Sequence, residues 1–191
     1  CENNEADMFV TVFIGVFEIS SGIFTFSNAG HNYPLLYRKG GAFDWLKSSP
    51  DFVIAGMEGM KFRDNRVAIK PGDRLFLYTD GVTEALNRKE ELYGDDRLIE
   101  TLNRPETREM SIDELVTYMK ADLASYADGA EQADDITMLV LEIREEEADS
   151  LEEWYVNWAM TMHPLKKLEV CAVHRAVSYT HLRAHETTLH L

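Results

Sequence analysis

The sequence predicts an α+β domain, in which antiparallel strands come first and helices follow. In the first half of the 191 residues, short apolar runs are separated by turn sequences such as residues 20–22 (SSG) and 39–41 (KGG). In the second half, apolar residues recur at helical spacing until residues 136–143 return to a strand pattern. Strands that are joined by short turns and then followed by helices are typical of a layered α+β domain. In a regular βαβ repeat, strands and helices would alternate along the chain.

Six strands are predicted ahead of the helices, at residues 8–19, 23–28, 35–38, 42–46, 62–69 and 74–79. The first strand is apolar on both alternating faces, which indicates a central strand that is covered on both sides. Short turns join the first strand to the second and the third to the fourth, so each pair is predicted to form a hairpin. The sixth strand ends at Asp80-Gly81.

Two helices are predicted between the sixth strand and the last one. The first covers residues 95–102 and places its apolar residues on one face. The second begins at a capping box formed by Ser111 and Glu114. Its apolar residues recur at helical spacing, and they are Ile112, Leu115, Val116, Met119 and Leu123.

The domain is expected to cover residues 1–144. Six acidic residues in the nine positions 145–153 mark its edge, and residues 145–174 are predicted to form an acidic linker with a short helix at 154–168. Residues 175–191 are rich in His and Thr, and they show neither helical nor strand periodicity. Because they look like translated adaptor or vector sequence, we expect a non-native tail there.

Composition narrows the functional classes. The formal net charge of −15 argues against nucleic-acid binding, which depends on Lys and Arg at phosphates. An acidic surface is compatible with divalent cations, but solubility is the favoured explanation of the total charge taken alone. No apolar run approaches the roughly 18–20 residues of a membrane helix. The two cysteines, Cys1 and Cys171, form no Cys-x-x-Cys motif, and a reducing cytoplasm is the default location.

Two acidic motifs at strand ends are candidates for a metal site. Asp80 follows a buried strand, and Gly81 lets the backbone turn beside it. Asp134 and Asp135 directly precede an apolar strand, and adjacent carboxylates repel one another unless they are solvated or bridged by a cation. Taken alone, the first motif is more typical of a turn at a strand end, and the second of a solvated loop end. Two such motifs, one leaving and one entering a core strand, favour a shared metal site.

His31, in the polar loop of residues 28–34, has three possible roles. It could be a metal ligand, a proton donor or a hydrogen-bonding loop residue, of which the last is the most common for a single His. The sequence contains no Gly-x-Ser-x-Gly elbow, no reactive Cys motif, no nucleotide-binding glycine pattern and no His-Glu-x-x-His. Without an evident protein nucleophile, water activated by a metal is the remaining hydrolytic chemistry.

Five motifs in the same order resemble the PPM-type metal-dependent protein phosphatases, and most closely their SpoIIE/RsbU branch. The motifs are residues 8–11 (MFVT), 28–34 (NAGHNYP), 71–73 (PGD), 78–84 (YTDGVTE) and 134–137 (DDIT). The similarity covers about residues 1–144. It implies a four-layer αββα sandwich, incomplete at its N-terminus, with two Mn²⁺ or Mg²⁺ ions at one edge of the sheets.

The resemblance also implies roles for individual residues. Asp80 and Asp134 would be metal ligands, with Gly81 beside them. Glu84 matches a position that can hold an additional metal, Asp135 would support the site, and the role of His31 stays open. The family's earlier Gly-Asp-x-x-Gly segment, whose Asp bridges both metals, is absent from these residues, so this fragment is expected to be inactive by itself.

The implied function is hydrolysis of phosphoserine or phosphothreonine in bacterial signalling. In this branch the substrate is typically a phosphorylated anti-sigma-factor antagonist, a small STAS-domain protein. A non-catalytic pseudophosphatase or docking module of the same fold is the alternative. Neither a nucleic-acid partner nor a membrane segment is expected in these residues, and the implied location is the cytoplasm.

Overall fold

In the computed structural model of the chain, residues 9–49, 51–144 and 175–181 are described, the last range by its backbone alone. The chain divides into two units, and the predicted acidic linker with its helix at 154–168 lies outside the described residues. Of the described residues, the first unit contains 9–31, 48–49, 51–72 and 143–144. The second contains 32–47, 73–142 and 175–181.

The first unit contains a three-stranded antiparallel sheet in the order β1-β2-β5. Its strands are β1 (Val12–Glu18), β2 (Ile23–Ala29) and β5 (Asn65–Ala68). The predicted hairpin of β1 and β2 is confirmed, with Val12 opposite Ala29 and Glu18 opposite Ile23.

The predicted central position of the first strand is wrong for the described residues. Strand β1 lies at the edge of its sheet, and Ile14 and Val16 are 58% and 55% exposed. On its other face, the ring of Phe13 stacks on Phe26 with centroids 5.3 Å apart, and Phe17 is buried. Apolar side chains on both faces make a strand suitable for a position between two layers. They do not determine whether a second layer is present to cover the strand.

The second unit contains a five-stranded antiparallel sheet in the order β4-β3-β6-β7-β8. Its strands are β3 (Leu35–Tyr37), β4 (Phe43–Trp45), β6 (Arg74–Tyr78), β7 (Ile136–Glu142) and β8 (Arg175–His181). The predicted hairpin of β3 and β4 is confirmed, with Leu36 opposite Asp44.

Strand β8 was not expected, because residues 175–191 show no strand periodicity. Arg175–His181 pairs with the whole of β7, from Arg175 opposite Glu142 to His181 opposite Ile136. The segment contains Val177 and Tyr179, which favour strands regardless of alternation. The proposed non-native origin of this tail stays a prediction.

Helices of the second unit pack on its sheet. They are the single-turn α1 (Asp80–Thr83), α2 (Gly94–Leu102), a 3₁₀ helix (Pro105–Glu109) and α3 (Ile112–Ala127). The predicted apolar face of α3 is confirmed, since all five of its residues are buried. These residues join Leu35, Phe76, Met138 and Val140 of the sheet in one core.

The Pro-Gly-Asp motif at residues 71–73 has a structural role in the second unit. Asp73 is buried and accepts hydrogen bonds from Nη1 of Arg38 at 2.7 Å and from the backbone N–H of Lys39 at 3.0 Å. It thereby fixes the turn between β3 and β4.

Within the described ranges, no helix is long and apolar enough to cross a membrane.

Candidate metal site at the ends of β6 and β7

The pairing of β6 with β7 brings both acidic motifs to one end of the sheet. The strands are antiparallel, with Tyr78 opposite Met138, so the last residues of β6 lie beside the first residues of β7. Asp80 lies two positions beyond the end of β6, and Asp134 lies two positions before the start of β7. The expectation that these two segments meet in space therefore agrees with the strand register.

Thr79 connects the two strand ends through three hydrogen bonds. Its backbone N–H donates to the carbonyl of Thr137 at 3.0 Å. Its hydroxyl donates to the carbonyl of Asp135 at 2.9 Å and accepts from the N–H of Thr137 at 2.9 Å. The segment that carries Asp80 is thus held directly against the segment that carries Asp134.

Gly81 allows the two backbones to touch. A Cβ atom at this buried position would lie 2.4 Å from the carbonyl oxygen of Asp135 and 3.3 Å from the carbonyl carbon of Asp134. Contacts under 3.0 Å with backbone atoms cannot be relieved by a side-chain rotation, so glycine is required for this close approach.

Among the described residues, each of the two carboxylates accepts a hydrogen bond from the backbone N–H of the residue that follows it. Oδ1 of Asp80 accepts from the N–H of Gly81 at 3.1 Å, and Oδ1 of Asp134 accepts from the N–H of Asp135 at 2.7 Å. Within the part of the chain that the structure describes, neither carboxylate forms an ion pair with Lys or Arg. Each therefore keeps its second oxygen as a potential ligand for a hard cation.

The acidic groups do not form a complete metal cluster by themselves. The described residues contain no group of three or more His, Cys, Asp or Glu side chains that could hold a metal ion. Glu84 is exposed, and its backbone N–H donates to the carbonyl of Asp80 at 2.8 Å as the end of helix α1. The carboxylates of Asp80 and Asp134 fit a divalent cation in type and charge, but further oxygen ligands are needed to complete its coordination.

A family model described as Stage II sporulation protein E (SpoIIE) matches residues 1–144 of the chain. The chain belongs to the SpoIIE family. Protein IcfG of Synechocystis sp. is 35% identical to this SpoIIE-family chain over 140 residues, which are 73% of the chain and 22% of IcfG. The chain therefore spans about a fifth of that relative's length.

Solved structures similar to the SpoIIE-family chain show its fold. The SiaA-PP2C domain of Pseudomonas aeruginosa has a TM-score of 0.60 and 24% identity, covering 76% of this chain and 55% of that domain. The phosphatase domain of SpoIIE from Bacillus subtilis, presoaked with Mn, has a TM-score of 0.53 and 14% identity, covering 73% and 59%.

A third similar structure contains the RsbU and RsbW domains of Rv1364c from Mycobacterium tuberculosis. Its TM-score is 0.56 and its identity 18%, and the match covers 83% of this chain and 46% of that one. The expected α+β fold of PPM-type phosphatases, also called PP2C, is confirmed. The SpoIIE-family chain spans between 46% and 59% of these three structures.

His31 of the SpoIIE-family chain lies in the first unit, whereas Asp80 and Asp134 lie in the second. Its backbone N–H donates to Oδ1 of Asn28 at 2.8 Å, and Nδ2 of Asn28 donates to the carbonyl of His31 at 2.9 Å. Its ring Nδ1 is 3.4 Å from the hydroxyl of Thr11. These contacts agree with the loop hydrogen-bonding role, and a ligand role for His31 stays a prediction.

Tyr78 is a residue of the site region whose partners the sequence did not reveal. The Tyr78 side chain is buried, and its hydroxyl lies close to the side chains of Asn32, in the loop before β3, and Asp95, in α2. Burial raises the pKa of Tyr78, and the negative charge of Asp95 raises it further, so the hydroxyl stays protonated. Both Tyr78 and Asn32 belong to motifs that carry the family resemblance, but their contact depends on the fold.

Proposed function

We propose that this SpoIIE-family chain is part of a metal-dependent phosphatase that removes phosphate from phosphoserine or phosphothreonine of a regulatory protein. Its membership of a PP2C-like phosphatase family supports the reaction class. The observation that carries the proposal is the contact between the Asp80 and Asp134 segments through Gly81 and Thr79. Two carboxylates that form no ion pair with Lys or Arg among the described residues are suited to a divalent metal.

In this proposal Asp80 and Asp134 hold the metal, and Asp135 and Glu84 support it. When Mn²⁺ or Mg²⁺ is bound, it lowers the pKa of coordinated water towards neutrality and offsets charge on the phosphoryl oxygens. Thr79 keeps the two ligand-bearing segments together, and Gly81 permits their close approach. The solved SpoIIE domain that was presoaked with Mn supports Mn²⁺ as the first metal to test.

The ligand assignment is tested by replacing each carboxylate with an amide of the same size. Asp80→Asn and Asp134→Asn should each weaken Mn²⁺ binding to the 191-residue chain at least about tenfold, since an amide carries no charge for a hard cation. Isothermal titration calorimetry measures the affinity. Asp44→Asn is the matched control, because Asp44 is exposed and accepts from the next backbone N–H in the same way. Unchanged Mn²⁺ affinity in both site variants would remove the assignment.

We also expect the 191-residue chain to have little activity on its own, because its described residues supply fewer than three grouped acidic ligands. The measurement is Mn²⁺-dependent hydrolysis of p-nitrophenyl phosphate by the isolated chain and by a longer protein that includes a Gly-Asp-x-x-Gly segment. Activity only in the longer protein is the expected result. Strong hydrolysis by the isolated chain would show that the ligand set is already complete.

The proposed substrate is a phosphorylated STAS-domain anti-sigma-factor antagonist in the bacterial cytoplasm. The RsbU and RsbW domains found together in the Mycobacterium tuberculosis relative support a regulatory partner of this kind. The second candidate function is a non-catalytic docking module, which the incomplete acidic group favours. Mn²⁺-dependent turnover of a phosphorylated antagonist by the longer protein separates the two, since a docking module would bind the antagonist without releasing phosphate.

A further inference from the structure

The second unit contains an apolar cavity of about 300 Å³ beside helix α3. One wall is the C-terminal half of α3, with Leu123, Ala124 and Ala127. The segment after α1 and the loop before β7 form the other walls. Alanine lines the cavity at four positions, and these small side chains leave the volume open: Ala85, Ala124, Ala127 and Ala130.

Two of the segments that line this cavity also carry the residues of the candidate metal site. Ala85 follows Glu84 directly, and therefore belongs to the segment that begins with Asp80. Gln132 lies two positions before Asp134, and its Nε2 donates to the backbone carbonyl of Asp134 at 2.7 Å. The same two segments thus carry the carboxylates at one end and line the cavity at the other.

The size and lining of the cavity suit one apolar side chain. Its volume is at the lower limit of ligand sites, which span roughly 300–1,000 Å³. Lys120, Glu131 and Gln132 supply the polar groups of its lining, and they could contact the backbone of a bound segment. When a phosphorylated residue binds at the metal site, its neighbours in the substrate chain also lie near that site. In an extended segment, each successive residue lies about 3.3 Å further along.

We infer that this cavity receives an aliphatic side chain of the phosphoprotein segment that flanks the phosphorylated residue. The inference rests on the proposed phosphatase function, which it deepens by adding a determinant of substrate choice. Burial of a leucine side chain is large enough to change affinity about tenfold, even when much of the gain is offset by ordering of the segment.

The test measures peptide binding to the full 191-residue chain in the presence of Mn²⁺, and therefore does not depend on turnover. Dye-labelled peptides carry a central phosphoserine in a Gly/Ser background, with a single leucine moved from position to position. Fluorescence anisotropy gives each Kd. Leucine at one or two positions should lower Kd about tenfold relative to the peptide without leucine.

Two variants that fill the cavity should remove the leucine preference, Ala124→Trp and Ala127→Leu. Ala121→Trp is the matched control, because Ala121 is also an exposed alanine of α3 but does not line the cavity. The control should keep the preference. Far-ultraviolet circular dichroism verifies that each variant is folded.

The inference is overturned if leucine lowers the Kd at no position of the peptide. It is also overturned if leucine still lowers the Kd for both folded variants that fill the cavity. Binding of the amphiphilic dye 1-anilinonaphthalene-8-sulfonate, which reports apolar surface, without any peptide preference would assign the cavity to a free small molecule and would also overturn the inference. Failure of the phosphatase function is a different result, namely absence of Mn²⁺-dependent hydrolysis by the longer protein.

Discussion

Thr79 shows how a single hydroxyl can position a site without contacting a ligand. Its backbone N–H continues the β6–β7 ladder by donating to Thr137, and its hydroxyl adds one bond to the carbonyl of Asp135 and one from the N–H of Thr137. The neighbouring Asp80 is therefore fixed relative to Asp134 by a short chain of bonds. Thr79 is a positioning residue here, because its hydroxyl bonds to the backbone of Asp135 and Thr137.

Replacement of Thr79 by valine keeps the shape of the side chain and removes the hydroxyl. The N–H of Thr137 then loses its partner, so Thr79→Val should lower the free energy of unfolding by about 1–3 kcal/mol. Mn²⁺ affinity should fall as well, because the two carboxylate-bearing segments are no longer held together. Thr79→Ser retains the hydroxyl and should recover most of both quantities, measured by urea unfolding and calorimetry. Equal effects of valine and serine would show that the hydroxyl is not responsible.

The sequence was sufficient to identify the candidate site residues, but not to predict the hydrogen bonds and strand pairings that position them. Asp80 was found because it ends an apolar strand before a glycine, and Asp134 because it precedes one. The roles of Thr79 and Tyr78 depend on which strands pair and in which register, and this information is not local. His31 could be placed in a loop, but its partners Asn28 and Thr11 became known only from the structure.

Helix α3 is the element whose sequence signals agree most fully with its structure. The predicted capping box is confirmed, with the N–H of Glu114 donating to the Ser111 hydroxyl at 3.3 Å and the N–H of Ser111 donating to Oε2 of Glu114 at 2.8 Å. The backbone N–H of Ser111 also lowers the pKa of Glu114. Helix α3 ends at Ala127, and the capping residue Asp128 that follows has a φ of 48° in the left-handed region.

Loss of the cap should destabilise this helix and the core that it covers. We expect Ser111→Ala to lower the free energy of unfolding by about 1 kcal/mol. Ser125→Ala is the matched control, since Ser125 is exposed in the same helix and alanine has the higher helix propensity. The control should be neutral or slightly stabilising in urea unfolding. A similar loss in both variants would argue that the cap contributes nothing specific.

The differences between expected and observed elements have a common physical reason. Helices α2 and α3 are long enough for their periodicity to be recognised, whereas α1 and the 3₁₀ helix have four and five residues. Strand β8 lacks alternation, but the backbone of β7 can still pair with it. The exposure of β1 depends on its neighbours in space, which its own residues do not specify.

The pH dependence of the whole chain follows from its excess of carboxylates. The pKa of four of them is lowered in the folded state, namely Asp51, Glu106, Glu114 and Asp122. For Asp51 the main cause is the hydrogen bond from the backbone N–H of Arg63, followed by the Arg63 side chain. A lowered folded pKa means that the ionised group stabilises the fold. This contribution is complete above the ordinary pKa, about 3.9 for Asp and about 4.3 for Glu, and is lost as the pH falls through the folded pKa.

Asp122 provides the sharpest test of this acid sensitivity. Burial by itself raises the pKa of Asp122, but hydrogen bonds from Tyr93 and Arg104 at 2.8 and 2.9 Å, with the charges of Arg104 and Arg97, outweigh it. These contacts join α2, α3 and the segment before α2. As the pH falls through the folded pKa, protonation of Asp122 removes its contribution to the free energy of unfolding.

We therefore expect Asp122→Asn to be less stable than the original chain near pH 7 but to lose less stability on acidification. Urea unfolding from about pH 6 to about pH 2.5 measures how the free energy of unfolding of each protein changes with pH. Tyr93→Phe removes one donor, so the pKa of Asp122 rises and the acid loss should begin at a higher pH. Parallel pH profiles for the original chain and Asp122→Asn would show that another carboxylate dominates. Because the described hydrogen bonds and ion pairs of Asp122 go to Tyr93, Arg97 and Arg104, and not to Asp80 or Asp134, Mn²⁺ affinity at pH 7 serves as a separate measure that the site has remained intact.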